Sequence, residues 1–223
     1  MGKIRIISQS SERFESRKAA GTLLAAELKK LKGEAAVVLG IPRGGMIVAC
    51  ELALALDADL DIVLSRKLGA PHNPELAIGA VGEDGKVFLN ENVVGYLSVG
   101  DDYVRVEKER QMLEIKRRIA LYRKVLPKVA LNERTVIVTD DGVATGATMQ
   151  AALWSVRQEG PKKLIAALPV GPPETLEMLS QDADEIICLR APEFFAAVGQ
   201  FYSQFTQVED KELLELLRKE HNL

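Results

Sequence analysis

The spacing of apolar residues predicts that helices and short strands alternate in the first part of this chain. A helix is predicted by apolar residues that recur three or four positions apart, namely Ala20, Leu23, Leu24, Leu28 and Leu31. Gly33 ends that pattern, and the apolar run Ala35–Leu39 predicts a buried strand. After the punctuating segment Gly40–Gly45, Met46–Leu56 predicts a buried helix and Ile62–Leu64 a second strand.

The same alternation returns in the second half, after a long amphipathic helix predicted over Asp101–Lys124, ahead of Pro127. It predicts three strands and two helices: Thr135–Thr139, Ala147–Gln158, Leu164–Leu168, Pro173–Leu179 and Glu185–Leu189. Short apolar strands separated by helices are typical of a parallel sheet that is covered on both faces. We therefore expect an α/β fold, a parallel twisted sheet flanked by helices.

Two segments depart from this alternation. Asp84 and Gly85 lie between two β-prone segments, which indicates a hairpin, and the Gly/Pro-rich stretch LGAPHNPE precedes it. We expect an insertion made of a flexible loop and this hairpin at about residues 68–90. Half of the ten Phe and Tyr residues cluster near the C-terminus, so residues 190–223 are expected to cap the sheet. No repeat or linker divides the chain, which favours one domain over residues 1–223.

Composition narrows the classes of protein to consider. No apolar run approaches the roughly 18 residues of a membrane helix, and the N-terminus lacks an export signal, so we expect a cytoplasmic protein with no membrane contact. The net charge of −3 argues against a nucleic-acid partner, and the basic stretch Arg105–Arg118 is typical of a solvated helix face. Cys50 and Cys188 each lie in an apolar run, which favours buried thiols over the alternative, a structural disulfide.

The segment VIVTDDGVATGATM carries the clearest chemistry. Its predicted strand ends at Asp140 and Asp141, and ligands of parallel sheets lie beyond the carboxyl ends of strands. The next residues supply backbone N–H groups, the hydroxyls of Thr145 and Thr148 and the start of a helix, which together suit a phosphate dianion. Neighbouring carboxylates repel each other, so they require hydrogen-bond donors or a cation, such as sugar hydroxyls or Mg²⁺. The segment predicts a cradle for a phosphorylated sugar.

Two more segments offer cations and backbone donors. The glycines of GIPRGG expose N–H groups, and Arg43 adds a forked donor, a combination that suits pyrophosphate. Such residues form ordinary turns in most proteins, but the position of this loop after a buried strand favours binding. Arg66 and Lys67 follow the next predicted strand. The alternative for them is a solvated basic pair, because Lys and Arg are mostly exposed.

The acidic pair followed by Ala-Thr-Gly-Ala-Thr is similar to the phosphoribosyl pyrophosphate (PRPP) signature of type I phosphoribosyltransferases. Arg66–Ala80 and Ala197–Gln207 also resemble segments of a bacterial group of these proteins whose acceptor is not settled. The resemblance implies the type I phosphoribosyltransferase fold with a hood-like C-terminal cap. It also implies a mobile loop, after Arg66 and Lys67, that closes over the site.

The resemblance further implies roles for individual residues. Asp140 and Asp141 would bind the ribose 2′ and 3′ hydroxyls and would hold Mg²⁺ indirectly, through those hydroxyls or water. The 5-phosphate would be bound by Gly142, Val143, Ala144, Thr145, Gly146, Ala147 and Thr148. Arg43, Gly44 and Gly45 would form the pyrophosphate loop. Arg43, Arg66 and Lys67 would be the catalytic cations.

The implied reaction transfers the 5-phosphoribosyl group of PRPP to a nitrogen acceptor, a nucleobase or related compound, and releases pyrophosphate with Mg²⁺ as cofactor. Ala144 stands where enzymes of 6-oxopurines carry an acidic residue, so the resemblance disfavours a 6-oxopurine. The clustered C-terminal aromatic residues fit stacking on a planar acceptor and core packing equally well. The alternative function is a PRPP- or nucleotide-sensing regulatory protein of the same fold. A homodimer is left open.

Overall fold

The chain folds around a sheet of six parallel strands. The computed structural model describes the backbone of residues 1–221 and the side chains of residues 1–74 and 76–218. Its strands are β1 (Lys3–Ser8), β2 (Val37–Gly40), β3 (Asp59–Ile62), β4 (Arg66–Ala70), β5 (Asn73–Val81), β6 (Val87–Leu89), β7 (Thr135–Thr139), β8 (Lys163–Val170) and β9 (Glu185–Arg190). The main sheet has the order β1-β9-β8-β7-β2-β3. All its neighbouring strands run parallel, which confirms the predicted fold class.

Helices cover both faces of this sheet. They are α1 (Arg17–Glu27), α2 (Gly44–Leu56), α3 (Glu91–Leu97), α4 (Asp101–Tyr122), α5 (Ala147–Arg157), α6 (Pro173–Leu179) and α7 (Asp210–His221). Successive side chains of a strand point to opposite faces. Val136 and Val138 accordingly pack in the cluster that contains α5 and α6 residues, whereas Ile137 packs in the cluster formed with α1 and α2. None of the described helices is both long and apolar enough to cross a membrane.

Sequence periodicity missed or displaced three elements. It gave no strand at β1 and no helix at α3, and it placed the strand after α2 at Ile62–Leu64 instead of Asp59–Ile62. β3 begins at a charged residue and contains Asp61, which is 2% exposed. The carboxylate of Asp61 accepts hydrogen bonds from Arg123 and from the N–H of Val129. These tertiary contacts make a buried aspartate tolerable in a strand, and apolar periodicity cannot show them.

A second, antiparallel sheet of β4, β5 and β6 lies between α4 and α5. The predicted hairpin is present, with Gly85 in the left-handed region at φ +77°. The prediction of a loop over LGAPHNPE was wrong, because most of that stretch belongs to β4 and β5. His72 lies in the tight turn that joins these two strands. One face of this sheet packs on α4 through Leu68 and Ile115, and the other packs on α5 through Ala80.

Residues 191–209, which we call the cap segment, lead from β9 across the carboxyl ends of the strands to α7. Tyr202 pairs with Phe14, and the N–H of Phe14 donates to the carbonyl of Phe201 over 2.8 Å. Val208 then packs in a cluster with Leu213 and Leu217 of α7. Of the predicted cap at 190–223, residues 222 and 223 lie outside the described residues. Both cysteines are buried thiols, as predicted.

Candidate functional site

Asp140 and Asp141 lie at a crevice in the middle of the sheet edge. They follow β7, which is paired with β2 on one side and β8 on the other. The chain continues from β7 to α5 on one face, whereas it continues from β2 to α2 on the opposite face. Loops that diverge in this way leave a ligand crevice at the carboxyl edge of an open sheet. The topology therefore puts the acidic pair where a ligand would bind.

Arg17 is the close partner of this pair, and no local sequence pattern predicts it. Its Nε donates to Oδ2 of Asp141 over 2.7 Å, and Arg17 is only 8% exposed. A second nitrogen of the same guanidinium donates to the carbonyl of Thr206 over 2.8 Å. Ser16 caps α1 and so fixes Arg17 at the first turn of that helix. No local pattern relates Arg17 to a carboxylate 124 positions later in the chain.

The two carboxylates differ in their charge balance. Arg17 compensates Asp141, whereas Asp140 accepts the N–H of Asp141 over 2.8 Å through Oδ1. Burial raises the pKa of Asp140 well above its usual range, the charge of Asp141 raises it further, and Arg17 opposes both effects. The hydroxyl of Tyr202 donates to the main-chain carbonyl of Asp141 over 2.5 Å. Asp140 is therefore the carboxyl group whose charged form would be stabilised by hydrogen-bond donors or a cation from a ligand.

The loop after the acidic pair is held open toward solvent at the start of α5. Gly146 adopts φ +78°, and a Cβ there would lie 2.8 Å from Cγ2 of Thr175. The hydroxyl of Thr175 donates to the carbonyl of Ala144 over 2.7 Å. Thr145 and Thr148 are exposed. The first N–H groups of α5 have no partner within the helix, so this end suits a phosphate.

Val143 differs from the other predicted phosphate ligands. Its side chain is 4% exposed, and its N–H donates to the carbonyl of Val170 over 2.9 Å. The structure thus uses Val143 to anchor the loop to the core. The neighbouring Gly142 packs tightly as well, because a Cβ there would lie 2.7 Å from Cγ1 of Val198 in the cap segment. The loop groups left to bind a phosphate are therefore those of residues 144–148.

The GIPRGG loop lies directly against the acidic pair. A Cβ on Gly44 would collide with Oδ2 of Asp141, and one on Gly45 would lie 2.7 Å from Cα of Asp140. The peptide bond between Pro42 and Arg43 is cis. The Arg43 guanidinium points toward α7, 3.4 Å from Glu209 Oε2 and 3.9 Å from Asp210 Oδ1.

The structure separates Arg66 and Lys67, which the sequence predicts as one group of cations. They begin β4, where successive side chains point to opposite faces of the sheet. Nε of Arg66 donates to Gln111 of α4 over 3.0 Å. Burial lowers the pKa of Arg66, and the charge of Arg118 adds to that effect. Lys67 is paired with Ala80, which packs against α5, so Lys67 lies on the α5 side.

A cavity of about 390 Å³ lies between the GIPRGG loop and the cap segment. It is lined by Arg17, Arg43, Gly44, Phe205, Thr206, Gln207 and Val208. The ring of Phe205 stacks on Tyr202 at 5.2 Å, and the guanidinium of Arg17 lies 3.9 Å from the Phe205 centroid. Tyr202 is buried and belongs to the core, whereas Phe205 is 39% exposed and lines the cavity. A larger cavity, of about 470 Å³, adjoins the C-terminal end of α2, away from the acidic pair.

The acidic pair by itself does not make a complete metal site. Among the described residues, no group of three His, Cys, Asp or Glu side chains could hold an ion. Mg²⁺ commonly binds proteins through one or two carboxylates and takes its other ligands from water and substrate phosphates. Asp140 and Asp141 fit that arrangement, since one of the two charges has no cationic partner among the described side chains. Ribose hydroxyls or water would connect the two carboxylates to the ion.

Residues 12–206 match the family described as the phosphoribosyl transferase domain. The chain belongs to this family. The matched range includes Arg17, the acidic pair and the cap segment as far as Thr206.

The chain is also similar to a solved structure and to curated proteins. The crystal structure of TT1426 from Thermus thermophilus is 47% identical with a TM-score of 0.88, and the alignment covers 93% of this chain and 98% of that one. "Putative phosphoribosyl transferase Rv0571c" of Mycobacterium tuberculosis H37Rv is 42% identical over 208 residues. A protein of strain CDC 1551 has the same identity over the same length. The chain spans about half of these curated relatives, 47% of their length.

Proposed function

We propose that this protein is a phosphoribosyltransferase that transfers the 5-phosphoribosyl group of PRPP to a nitrogen acceptor and releases pyrophosphate. The observation that carries the proposal is one crevice that combines three features. These are the Asp140–Asp141 pair, the free helix start that follows it, and the glycines Gly44 and Gly45 packed against both carboxylates. A sugar with a phosphate at one end and a pyrophosphate at the other presents groups complementary to all three.

The proposed roles follow from the position of each group. Asp140 and Asp141 accept hydrogen bonds from the ribose hydroxyls, and residues 144–148 bind the 5-phosphate. Gly44 and Gly45 offer backbone N–H groups to the pyrophosphate, and Arg43 lies beside them. Mg²⁺, when bound, would neutralise charge on the departing pyrophosphate. Residues 142 and 143 secure the loop to the core instead of contacting the phosphate.

The proposed chemistry is displacement at C1 of the ribose. The C1–O bond to pyrophosphate breaks, and the leaving group takes the electron pair. The acceptor nitrogen forms the new bond to C1 and loses its proton to solvent or to the departing pyrophosphate. Positive charge develops on the ribose ring as this happens. The carboxylates at the hydroxyl side of the ring stabilise that charge, because preorganised charges in a partly buried site act without reorganisation. Ala144 is exposed in the phosphate loop. Because it stands where enzymes of 6-oxopurines carry an acidic residue, we propose an acceptor other than a 6-oxopurine.

A sensor of PRPP or of nucleotides is the second candidate, and one observation favours it. Two of the three cations expected at the pyrophosphate are engaged elsewhere, because Arg43 contacts Glu209 and Asp210 and Arg66 contacts Gln111. A binding protein needs the ribose and phosphate cradle but not these cations. An enzyme of this geometry has to release Arg43 from the acidic residues at the start of α7 when pyrophosphate binds.

Calorimetry with PRPP and Mg²⁺ tests the cradle. The wild-type protein should bind, and both Asp141→Asn and Thr145→Val should weaken binding at least about tenfold, since each loses a charge-assisted or hydroxyl contact worth about 1.4 kcal/mol or more. Thr22→Val, on an exposed part of α1, is the matched control and should bind as the wild type does. Equal affinity in all four proteins would remove the assignment of the cradle.

A screen for pyrophosphate release separates the enzyme from the sensor. Purines, pyrimidines and small amines are offered with PRPP and Mg²⁺, and released pyrophosphate is measured. Release with one acceptor class supports the transferase and identifies its substrate. Binding of PRPP without release for any acceptor supports the sensor.

We also propose a cytoplasmic protein without a nucleic-acid partner, in line with the net charge of −3.

A further inference from the structure

Arg17 joins the two halves of the site through one side chain. Its Nε holds the Asp141 carboxylate at 2.7 Å, and another guanidinium nitrogen holds the carbonyl of Thr206 at 2.8 Å. The guanidinium also lies over the ring of Phe205 at 3.9 Å. Asp141 belongs to the ribose end of the crevice, and Thr206 and Phe205 belong to the cap segment. The planar fork of an arginine fixes the relative positions of both partners.

The Arg17 side chain is closely packed where it contacts Asp141 and the cap segment. Arg17 is 8% exposed, and a Cβ on Gly44 would lie 2.9 Å from its Nε. A second contact joins the same two regions, because the Tyr202 hydroxyl donates to the main-chain carbonyl of Asp141. Oδ2 of Asp141 accepts the hydrogen bond from Arg17, and neither Arg17 nor Tyr202 donates a hydrogen bond to Oδ1. A ribose hydroxyl at Oδ1 would therefore restrain a carboxylate already attached to the cap segment.

We infer that Arg17 is a positioning residue that couples ribose binding at Asp141 to the ordering of the cap segment over the cavity. The inference rests on the proposed function, since it needs a ribose at the acidic pair. Occupation of Oδ1 fixes the Asp141 carboxylate, the fork transmits that restraint to Thr206 and Phe205, and the cap segment is held in place. Linkage is reciprocal, so an ordered cap segment strengthens ribose binding by the same factor.

Hydrogen exchange with ribose 5-phosphate as the probe measures this coupling directly. At saturating ligand, the wild-type protein should show slower exchange both at residues 144–148 and at residues 202–206, by about fivefold or more at the latter, the range typical of coupled sites. In Arg17→Met, ligand should still protect 144–148 but no longer 202–206, and its affinity should fall by a similar factor. Arg13→Met removes an exposed arginine four positions earlier and should behave as the wild type.

Two further variants separate coupling from simple loss of structure. Arg17→Lys keeps a cation near Asp141 but has no fork, so it should recover part of the affinity and none of the protection at 202–206. Phe205→Leu keeps the Arg17–Asp141 pair but removes the ring beneath the guanidinium. It should lose protection and affinity together, and it serves as the test where Arg17→Met does not fold.

The outcomes distinguish this inference from the proposed function. If the wild-type protein does not bind ribose 5-phosphate, the proposed function fails and the coupling fails with it. If the wild type binds but ligand protects 202–206 equally in the wild type, Arg17→Met and Phe205→Leu, the proposed function stands and the role of Arg17 is wrong. Recovery of that protection in Arg17→Lys would show that the coupling does not need the forked guanidinium.

Discussion

Gly44 has no Cβ at the point where the GIPRGG loop meets the acidic pair. A Cβ built there would collide with Oδ2 of Asp141 and would lie 2.9 Å from Nε of Arg17. Both neighbours belong to one buried ion pair, so neither can move without disturbing the other. The glycine is thus required by close approach, in addition to any N–H group that it offers to a ligand.

Gly44→Ala should separate Arg17 from Asp141. We expect PRPP affinity to fall at least about tenfold and the free energy of unfolding to fall by about 2 kcal/mol, because a buried pair is strained or opened. Calorimetry and denaturant unfolding measure the two effects. Gly95→Ala in α3 is the control, since a Cβ there meets nothing within 4 Å. It should leave binding unchanged and stabilise the helix by up to about 1 kcal/mol. Unchanged binding in both variants would contradict the close packing at Gly44.

At the scale of elements, α6 supports the phosphate loop from behind. Thr175 is 6% exposed, and its hydroxyl donates to the carbonyl of Ala144 over 2.7 Å. Its methyl group lies where a Cβ on Gly146 would collide. α6 therefore fixes both the middle of the loop and its turn into α5. The loop keeps its shape because of a residue that lies 31 positions after Ala144 in the chain.

Thr175→Val should loosen the phosphate loop while it keeps the volume of the side chain. The lost hydrogen bond leaves the carbonyl of Ala144 without its donor, which should cost about 1 kcal/mol of stability. The affinity for ribose 5-phosphate should fall several-fold, about in proportion to that free energy. Thermal unfolding and calorimetry provide the measurements. The control Thr22→Val loses only exposed hydrogen bonds, so it should leave the affinity unchanged and cost less stability than Thr175→Val. An unchanged affinity in Thr175→Val would show that the loop holds its shape without α6.

At the scale of the whole molecule, one arginine ties the antiparallel sheet to the main sheet. Arg123, at the end of α4, contacts Asp61 of β3 and makes two hydrogen bonds of 3.0 Å to Glu83 in the β5–β6 turn. Lys128 reinforces Glu83 at 3.1 Å. Burial raises the pKa of Asp61, and the charge of Arg123 lowers it. These charged side chains hold the antiparallel sheet beside the main sheet.

Arg123→Met should destabilise the protein in a pH-dependent way. A carboxyl with a raised folded pKa binds more protons when folded than when unfolded, so its contribution to stability is greatest at low pH and is lost as the pH rises through the folded pKa. Removal of Arg123 raises the pKa of Asp61 further. The loss of unfolding free energy should therefore be larger at pH 8, about 3–5 kcal/mol, than near pH 4.

Denaturant unfolding of Arg123→Met at the two pH values provides the measurement. Arg117→Met is the control, because Arg117 is 56% exposed and its partners Glu114 and Asp210 are both partly exposed. Its cost should stay below about 1 kcal/mol at both pH values. An equal loss at pH 4 and pH 8 in Arg123→Met would contradict the role assigned to the charge of Asp61.

The sequence by itself determined the alternation of strands and helices, because burial on two faces leaves short apolar runs that local patterns reveal. It also determined the segment from Asp140 to Thr148, whose strand, loop and helix start are contiguous. Only the tertiary structure decided that Arg17 pairs with Asp141, that Val143 anchors its loop and that Arg66 faces α4. Each of these depends on a contact between residues far apart in the chain, or on the face to which a strand directs a side chain. Local spacing carries neither kind of information, because a partner's position is set by the packing of whole elements.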